Sequence, residues 1–477
     1  MSKALTGVVA AVVVVVAAYG GASWYLGKQV EGRYNAQIDK VIPMLKGPYK
    51  LIDRSYKRGV FTSKALLTVE LDLPITPPAA PADAPAAAAP PAAPLRVTIE
   101  NEVMHGPLPG LRLAAAKAET RLLNVDGLDG ATRQMFAKAS APQITTVYGF
   151  DGAASGRVLL PAGEIDAAPE THTRWQALEG DFKSAADGVH VEGTVRWPEV
   201  SVKGRSDDPT RQVDLTMNGF RAEFKSELPA SGPSFMATGE GHGTIDKIVA
   251  VRPGAQGAQS APATPLFAID NLKIVSKTTR DGALSNVLQT ATGTGSIGRT
   301  PLEALNFELA LQRVDTEAFG QLQTLISREL GASSETDRAQ VWSLLQRLVA
   351  AKPEYKVKFG ATFMGRQGEI GVALMLRPDP SATQSMPPGM PLSPIMLQSA
   401  TGHIDVRLPK AWLPTLARGL EQPALTPETI AAMAAPLVEQ GFLKDEGEVY
   451  VTQLTYENGQ MLLNGKPMPI PPAAFGR

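Results

Sequence analysis

The run Ala4–Leu26, ALTGVVAAVVVVVAAYGGASWYL, holds no charged residue and lies between Lys3 and Lys28. At about 1.5 Å per helical residue such a segment crosses a hydrocarbon core of about 30 Å, where only a structure that satisfies its own backbone hydrogen bonds is tolerated. The chain is therefore expected to begin with one N-terminal transmembrane helix. Tyr19, Trp24 and Tyr25 supply rings of the kind that sit at headgroup depth, with Lys28 and Arg33 in water beyond them. A cleavable signal peptide is the competing reading, with Val8–Ala18 as its apolar region and Gly20-Gly21-Ala22 as its cut site. Against it, the run exceeds the usual length of about 7–15 residues. A lipoprotein is excluded, because the chain has no cysteine to acylate. Lys28, Arg33 and Lys40 outnumber Lys3 and the α-amino group, a bias that by itself would keep the body in the cytoplasm. That bias weakens when a long domain follows, and the short tail Met1–Lys3 is typical of a signal-anchor whose bulk is exported. The exported orientation is the one expected.

The chain of 477 residues is long enough for two or three ordinary domains or one large elongated sheet. Its 46 basic and 47 acidic residues nearly cancel, so nothing supports a nucleic-acid partner. The absence of cysteine excludes a disulfide framework, thiol catalysis and cysteine-ligated zinc. Only 6% of residues are aromatic, against 44 Gly and 39 Pro, which implies a core of Val, Leu and Ala on sheets with many turns.

Strand follows strand. Leu67, Val69, Leu71 and Leu73 alternate with Thr68, Glu70 and Asp72, and a period of two recurs at 189–197, 213–217, 305–311, 355–363 and 404–408. Asp187-Gly188, Asp281-Gly282 and Asn458-Gly459 each separate two such runs and tolerate the positive φ of a tight turn, so neighbouring strands should be antiparallel. A parity change across Asn218-Gly219 reads as a bulge, and Ile370–Leu376, apolar on both faces, reads as a central strand. Phe319, Leu322, Leu325, Ile326 and Leu330 share a helix face, as do Val341, Leu344, Leu345 and Leu348, predicting a helical hairpin over 316–350. A last helix near 426–440 opens at Thr426-Pro427-Glu428, an N-cap followed by Pro at the first helical position. Segments rich in Pro, Ala, Gly or Ser, at Pro74–Pro94, Arg252–Pro265, Arg377–Pro394 and after Pro467, read as loops.

The fold class expected is mainly β with a few helices (α+β): elongated, curled antiparallel sheets after the transmembrane anchor. Three segments follow: 1–27 as anchor, 28–255 as a first β-rich half with a Pro/Ala insertion at 74–94, and 256–477 as a second half carrying the helices.

The chemistry-bearing motifs are few. Gly293-Thr-Gly295-Ser-Ile-Gly298 matches the dinucleotide fingerprint in letters, but a strand pattern follows it where the fingerprint needs a helix to receive the pyrophosphate. A glycine-rich strand or bulge explains it better. His105, His172, His190, His242 and His403 occur singly, with no metal-ligand spacing. No Gly-x-Ser-x-Gly, His-Glu-x-x-His or Walker A sequence is present. No catalytic residue, cofactor or metal site is expected. Lys46, Lys50, Arg54, Lys57, Arg58 and Lys64, interleaved with Tyr49, Tyr56 and Phe61, follow the anchor. They either touch anionic headgroups, at about 1 kcal/mol per basic residue, or are ordinary polar positions at the start of the fold.

Within that cluster, Ser55-Tyr-Lys-Arg58-Gly59-Val60-Phe61-Thr-Ser63-Lys-Ala65 resembles the segment that follows the anchor in the YdgA-like family of bacterial envelope proteins. His105-Gly106-Pro107-Leu108, Tyr148–Gly152 with Leu160-Pro161-Ala162, and Gly459–Pro467 are similar to it in the same order, while Pro74–Pro94 departs as an insertion. The resemblance implies an inner-membrane protein with a periplasmic body and supplies no catalytic residue. Ser55, Arg58, Gly59, Phe61 and Ser63 form the candidate membrane-proximal motif. Gly59 is expected to let the backbone turn so that Phe61 enters the core while Arg58 stays in solvent. The function expected is that of a non-enzymatic anchored protein binding a lipid or an envelope protein along a sheet. The alternatives are an assembly factor that homodimerises through edge strands, and an envelope hydrolase without a motif.

Overall fold

The computed structural model describes residues 19, 21–36, 38–39, 49–71, 94–127, 141–167, 171–204, 212–228, 236–253, 263–328, 335–376, 400–419, 426–457 and 460–468. Most of Ala4–Leu26 lies outside them, as do most of Pro74–Pro94, the centre of the 252–265 loop, Arg377–Pro394, Gly331, the Asn458-Gly459 turn and the chain after Met468. The expected transmembrane helix is not shown: no helix among the described residues is long and apolar enough to cross a membrane.

The chain divides into two compact units, Met1–Trp197 with Ser327–Leu330, and Pro198–Ile326 with Gly331–Arg477. In the first, a helix α1 (21–36) precedes β1 (Tyr49–Arg58), β2 (Thr62–Leu71), β3 (Leu95–His105), β4 (Ala116–Asp126), β5 (Gln143–Tyr148) and β6 (Ala154–Leu160). After a hairpin of β7 (Gly163–Ala167) and β8 (Thr171–Trp175) come β9 (Leu178–Ser184) and β10 (His190–Gly204), the last running on past Trp197. Successive strands β1 to β6 pair antiparallel, β6 then pairs with β9, and β9 with β10. The short connections, β1–β2 at Gly59, β5–β6 at Gly149 and Gly152, and β9–β10 at Gly188, are Gly-containing turns of the kind that join antiparallel neighbours.

The second unit continues in the same manner. Its strands are β11 (Asp214–Glu227), β12 (Thr238–Arg252), β13 (Thr264–Asp281), β14 (Leu284–Ile297), β15 (Thr300–Asp315), β16 (Glu354–Phe363), β17 (Arg366–Leu376) and β18 (Ala400–Pro409). They end with β19 (Lys444–Asp445), β20 (Val449–Glu457), β21 (Gln460–Leu463) and β22 (Lys466–Met468). From β11 to β18 each strand pairs antiparallel with the next, and β18 pairs with β20. Strands β12 and β13 flank residue 255 and remain paired from Gly239↔Thr278 to Arg252↔Thr264, so one sheet runs across that loop. β17 lies between β16 and β18, the central position expected of its two apolar faces. At Gly219, φ +69°, pairing lapses between Asn218↔Lys247 and Arg221↔Thr244 without a register shift, so the expected bulge is a local break in the ladder, where the Asp246 carboxylate lies in the place a Cβ would need.

Two helices after β15, α2 (Thr316–Arg328) and α3 (Glu335–Ala350), bury Leu325, Leu344 and Leu348 around Met236, Val314 and Ala318. Asp315 caps α2 by accepting from the Ala318 amide at 2.9 Å, and Arg347 of α3 donates to the same carboxylate at 2.8 and 3.1 Å. A second cluster forms where Trp412, in a 3-10 turn before α4 (Leu413–Gly419), packs on Leu302, Ala361 and Phe363 and donates to the Phe363 carbonyl at 2.8 Å. The last helix, α5 (Pro427–Glu439), starts as its sequence predicts: the Thr426 hydroxyl accepts from the Thr429 amide and Pro427 follows the cap.

Candidate functional site

Helix α1 lies over the β1–β2 hairpin through one stripe of residues. Ser23, Gly27 and Val30 are spaced by four and three positions, which puts them on one helix face. The Ser23 hydroxyl donates to the Val60 carbonyl at 3.1 Å, Gly27 rests on the His105 ring, and Val30, like Tyr148, packs against the cluster of Val103, Ala116 and Ala118. Small residues at two of these positions let the helix approach that closely. Charges fasten its flank, with Glu31 to Arg58 at 2.8 Å and Asp39 to Arg54 at 2.7 Å.

Three of the stretches that resemble the YdgA-like family converge beneath this helix. The amide of His105 donates to the Phe61 carbonyl at 2.8 Å, joining the β1–β2 and β3–β4 connections. The Ala115 amide donates to the Tyr148 carbonyl at 2.9 Å, joining the β5–β6 turn to them. The fourth stretch sits in the other unit, where Asn464 adopts φ +53° and donates to the Gly441 carbonyl to hold the β21–β22 turn.

Within the candidate motif Phe61 departs from the role expected of it, while Arg58 keeps its own. Phe61 is 47% exposed and stacks on Tyr19 at a ring separation of 5.8 Å, instead of entering the core. Arg58 stays exposed as expected, where it pairs with Glu31 at 2.8 Å and lies 5.4 Å from the Trp24 ring centroid. The reason lies in the turn: Gly59 donates to the Thr62 carbonyl, which puts Val60 and Phe61 at the hairpin tip, whereas Arg58 still belongs to β1 under α1. Ser55 is half-buried in β1, and Ser63 takes the core position.

Ser63 is 1% exposed and its hydroxyl lies 2.9 Å from Nε2 of the equally buried His105. The other ring nitrogen faces the Val60 carbonyl at 3.4 Å. Burial pushes the His105 pKa below its ordinary value. A serine–histidine contact of this length is also the kind used in nucleophilic catalysis, but here both side chains are buried, with Gly27 of α1 against the His105 ring. It serves as the polar pin of the helix dock.

The second unit presents a different surface. Cross-strand partners share a sheet face. One row runs Leu309, Val357, Val372, Ile404 and Leu454, and its neighbours run Phe307, Phe359, Ile370 and Val406, and Leu311, Tyr355 and Leu374. All of these are apolar or aromatic. The opposite face carries Glu308, Lys356, Lys358, Glu369, His403 and Asp405, with ion pairs such as Lys358 to Glu369 at 3.6 Å. The apolar face is covered at its ends, where Leu311 joins the α2–α3 cluster and Leu305 and Leu408 join the Trp412 cluster. Between these ends Tyr355, Phe359, Ile370 and Leu374 are 38–45% exposed. A cleft of about 450 Å³ near α5 adds a smaller recess lined by Pro414, Ile430, Val438 and Tyr450, with Lys410 paired to Asp445 at its mouth. Alternation made the patch partly visible in the sequence, but period two also describes a strand whose apolar side is buried, so exposure was not legible.

The glycines 293–298 belong to β14 and the turn after it; a register shift falls between Gly293 and Gly295, and a Cβ on Gly295 would meet the Ala268 carbonyl. They are a glycine-rich strand, as their context implied, and the extra residue of each register shift lies in its neighbours, β13 between Asp270 and Lys273 and β15 between Leu302 and Leu305. Among the described residues no group of three or more His, Asp or Glu side chains could hold a metal ion.

The chain is of a bacterial, mainly antiparallel β class. It belongs to the family described as bacterial protein of unknown function, DUF945, which it matches over residues 1–471. No curated protein and no solved structure matches it.

Proposed function

We propose that this chain is a YdgA-like, non-enzymatic protein of the bacterial inner membrane, anchored through the Ala4–Leu26 run with its body in the periplasm, and that it holds lipid acyl chains against its open sheet face. The observation that carries the reading is the three adjoining apolar rows across β15 to β18, left half-exposed between two helical clusters. Each methylene moved from water onto such a surface contributes about 0.8 kcal/mol, so even part of an acyl chain binds usefully there. The charged reverse face keeps the sheet from being apolar on both sides.

Lipid retained by the purified full chain, measured by mass spectrometry, tests this against a Phe359→Glu/Leu374→Glu variant. Both positions are half-exposed, so the variant folds, and it should retain at least fivefold less lipid beyond the detergent-exchangeable pool. Equal retention would reject the face as a lipid site. A lipid-free homodimer would instead favour pairing through edge strands. A periplasm-dependent reporter fused after Arg477 should be active, and an inactive one would reject the exported orientation.

A further inference from the structure

The tip of the first unit where α1 begins carries a cluster of uncovered apolar side chains. Val60, Phe61, Leu108, Leu111, Leu113 and Phe150 are all exposed, Leu111 at 94%. They come from three connections, β1–β2, β3–β4 and β5–β6, tied into one rim by the backbone bonds from His105 to Phe61 and from Ala115 to Tyr148. A leucine exposed to that degree, flanked by others on the same loop, contributes nothing to the fold that holds it.

We propose that this rim is seated in the lipid of the membrane surface beside the anchor. This rests on the anchored reading above and adds a second, independent contact with the bilayer. Three observations select lipid as the occupant. Tyr19 stacks on Phe61, so the uncharged residues 4–18 join the protein at this rim. Trp24 and Tyr25, half-exposed on α1, supply amphipathic rings one turn further on, the arrangement found where protein meets headgroups. Arg112 stands exposed between Leu111 and Leu113, placing a guanidinium where lipid phosphates would lie when the two leucines enter the acyl region. Because Tyr19 is already stacked on Phe61 and Ser23 fixed to Val60 and His105, the uncharged run ahead of the rim is residues 4–18, shorter than the lower limit of about 17 residues for a span, which draws the rim towards the bilayer.

The chain has no cysteine, so single thiols report without background. Full-length Val13→Cys, Leu111→Cys and Leu123→Cys variants, each carrying a polarity-sensitive fluorophore, would be reconstituted in phosphatidylethanolamine/phosphatidylglycerol vesicles containing brominated acyl chains. Leu123 is exposed in β4 away from the rim and serves as the aqueous control. The expected result is at least twofold quenching at 13 and at 111 and none at 123. Quenching at 13 without quenching at 111 overturns the rim contact and leaves the anchor intact. Quenching at neither overturns the anchored reading and the rim contact with it.

Discussion

His105 and Gly27 meet face to face: the imidazole lies where a Cβ on the glycine would have to go. The ring cannot yield, because Ser63 holds its Nε2 at 2.9 Å inside the sheet. Gly27→Ala therefore trades a helix-propensity gain of about 1 kcal/mol for an overpacking cost of about 1–3 kcal/mol, and should lower the melting temperature. Gly32→Ala is the matched control, since nothing lies within 4 Å of its Cβ position, and it should raise it. Equal gains from both would show that α1 does not rest on His105.

Acid should loosen the same contact. Burial lowers the His105 pKa, outweighing the Val60 carbonyl that raises it, and nearby Arg58 lowers it further. The unfolded chain therefore takes up a proton near pH 6.5 while the folded protein does not until lower pH, so stability falls as pH drops below about 6.5. Glu119, whose carboxyl Lys117 and Arg121 hold below the ordinary range, adds its own loss only below about pH 4.5. Denaturant midpoints at pH 7.5, 6 and 5 should fall for the wild type and stay level for His105→Gln. Parallel slopes would assign the titration to another group.

The strands were legible because alternation is a backbone property: β2, β10, β15, β16 and β18 all stand where period two puts them. Thr426-Pro427 was legible for a similar reason, since a cap and a fixed φ act within one turn. The helix dock was not. Ser23 and Gly27 fall in or beside a run whose lack of charge already accounts for it as a membrane segment, so their spacing carried no separate signal. Phe61 was misplaced because a glycine turn reverses the chain without stating which neighbour ends at the tip. The convergence of three distant stretches under α1 depends on sheet order, which spacing along the chain does not encode.

The two phenylalanines Phe61 and Phe363 should separate on truncation. Phe363 is 1% exposed and meets Trp412 edge to face at 6.0 Å. Phe363→Ala should cost about 3–5 kcal/mol, the usual figure for an aromatic removed from a core. Phe61, half-exposed at the rim, should cost about 1 kcal/mol as alanine, in proportion to the area it buries. Thermal melts of the full chain in detergent compare them directly. A Phe61→Ala loss as large as that of Phe363→Ala would mean the ring is covered.

Asp315 does two jobs at the start of α2, and two substitutions can part them. Its carboxylate accepts from the Ala318 amide and from Arg347, which also reaches Glu317 at 2.8 Å. Asparagine is as good an N-cap as aspartate, so Asp315→Asn keeps the cap and removes only the charge. Asp315→Ala removes both, and losing the cap should cost about 1 kcal/mol more. Arg347 is substantially exposed, so its attraction is open to screening by salt, whereas the cap bond is short-ranged and buried. Raising salt to 1 M, where the Debye length is about 3 Å, should therefore bring Asp315→Asn close to the wild type and leave Asp315→Ala behind. If salt moves the two variants together, or if Asp315→Asn falls as far as Asp315→Ala, the carboxylate acts through the ion pair and not as a cap.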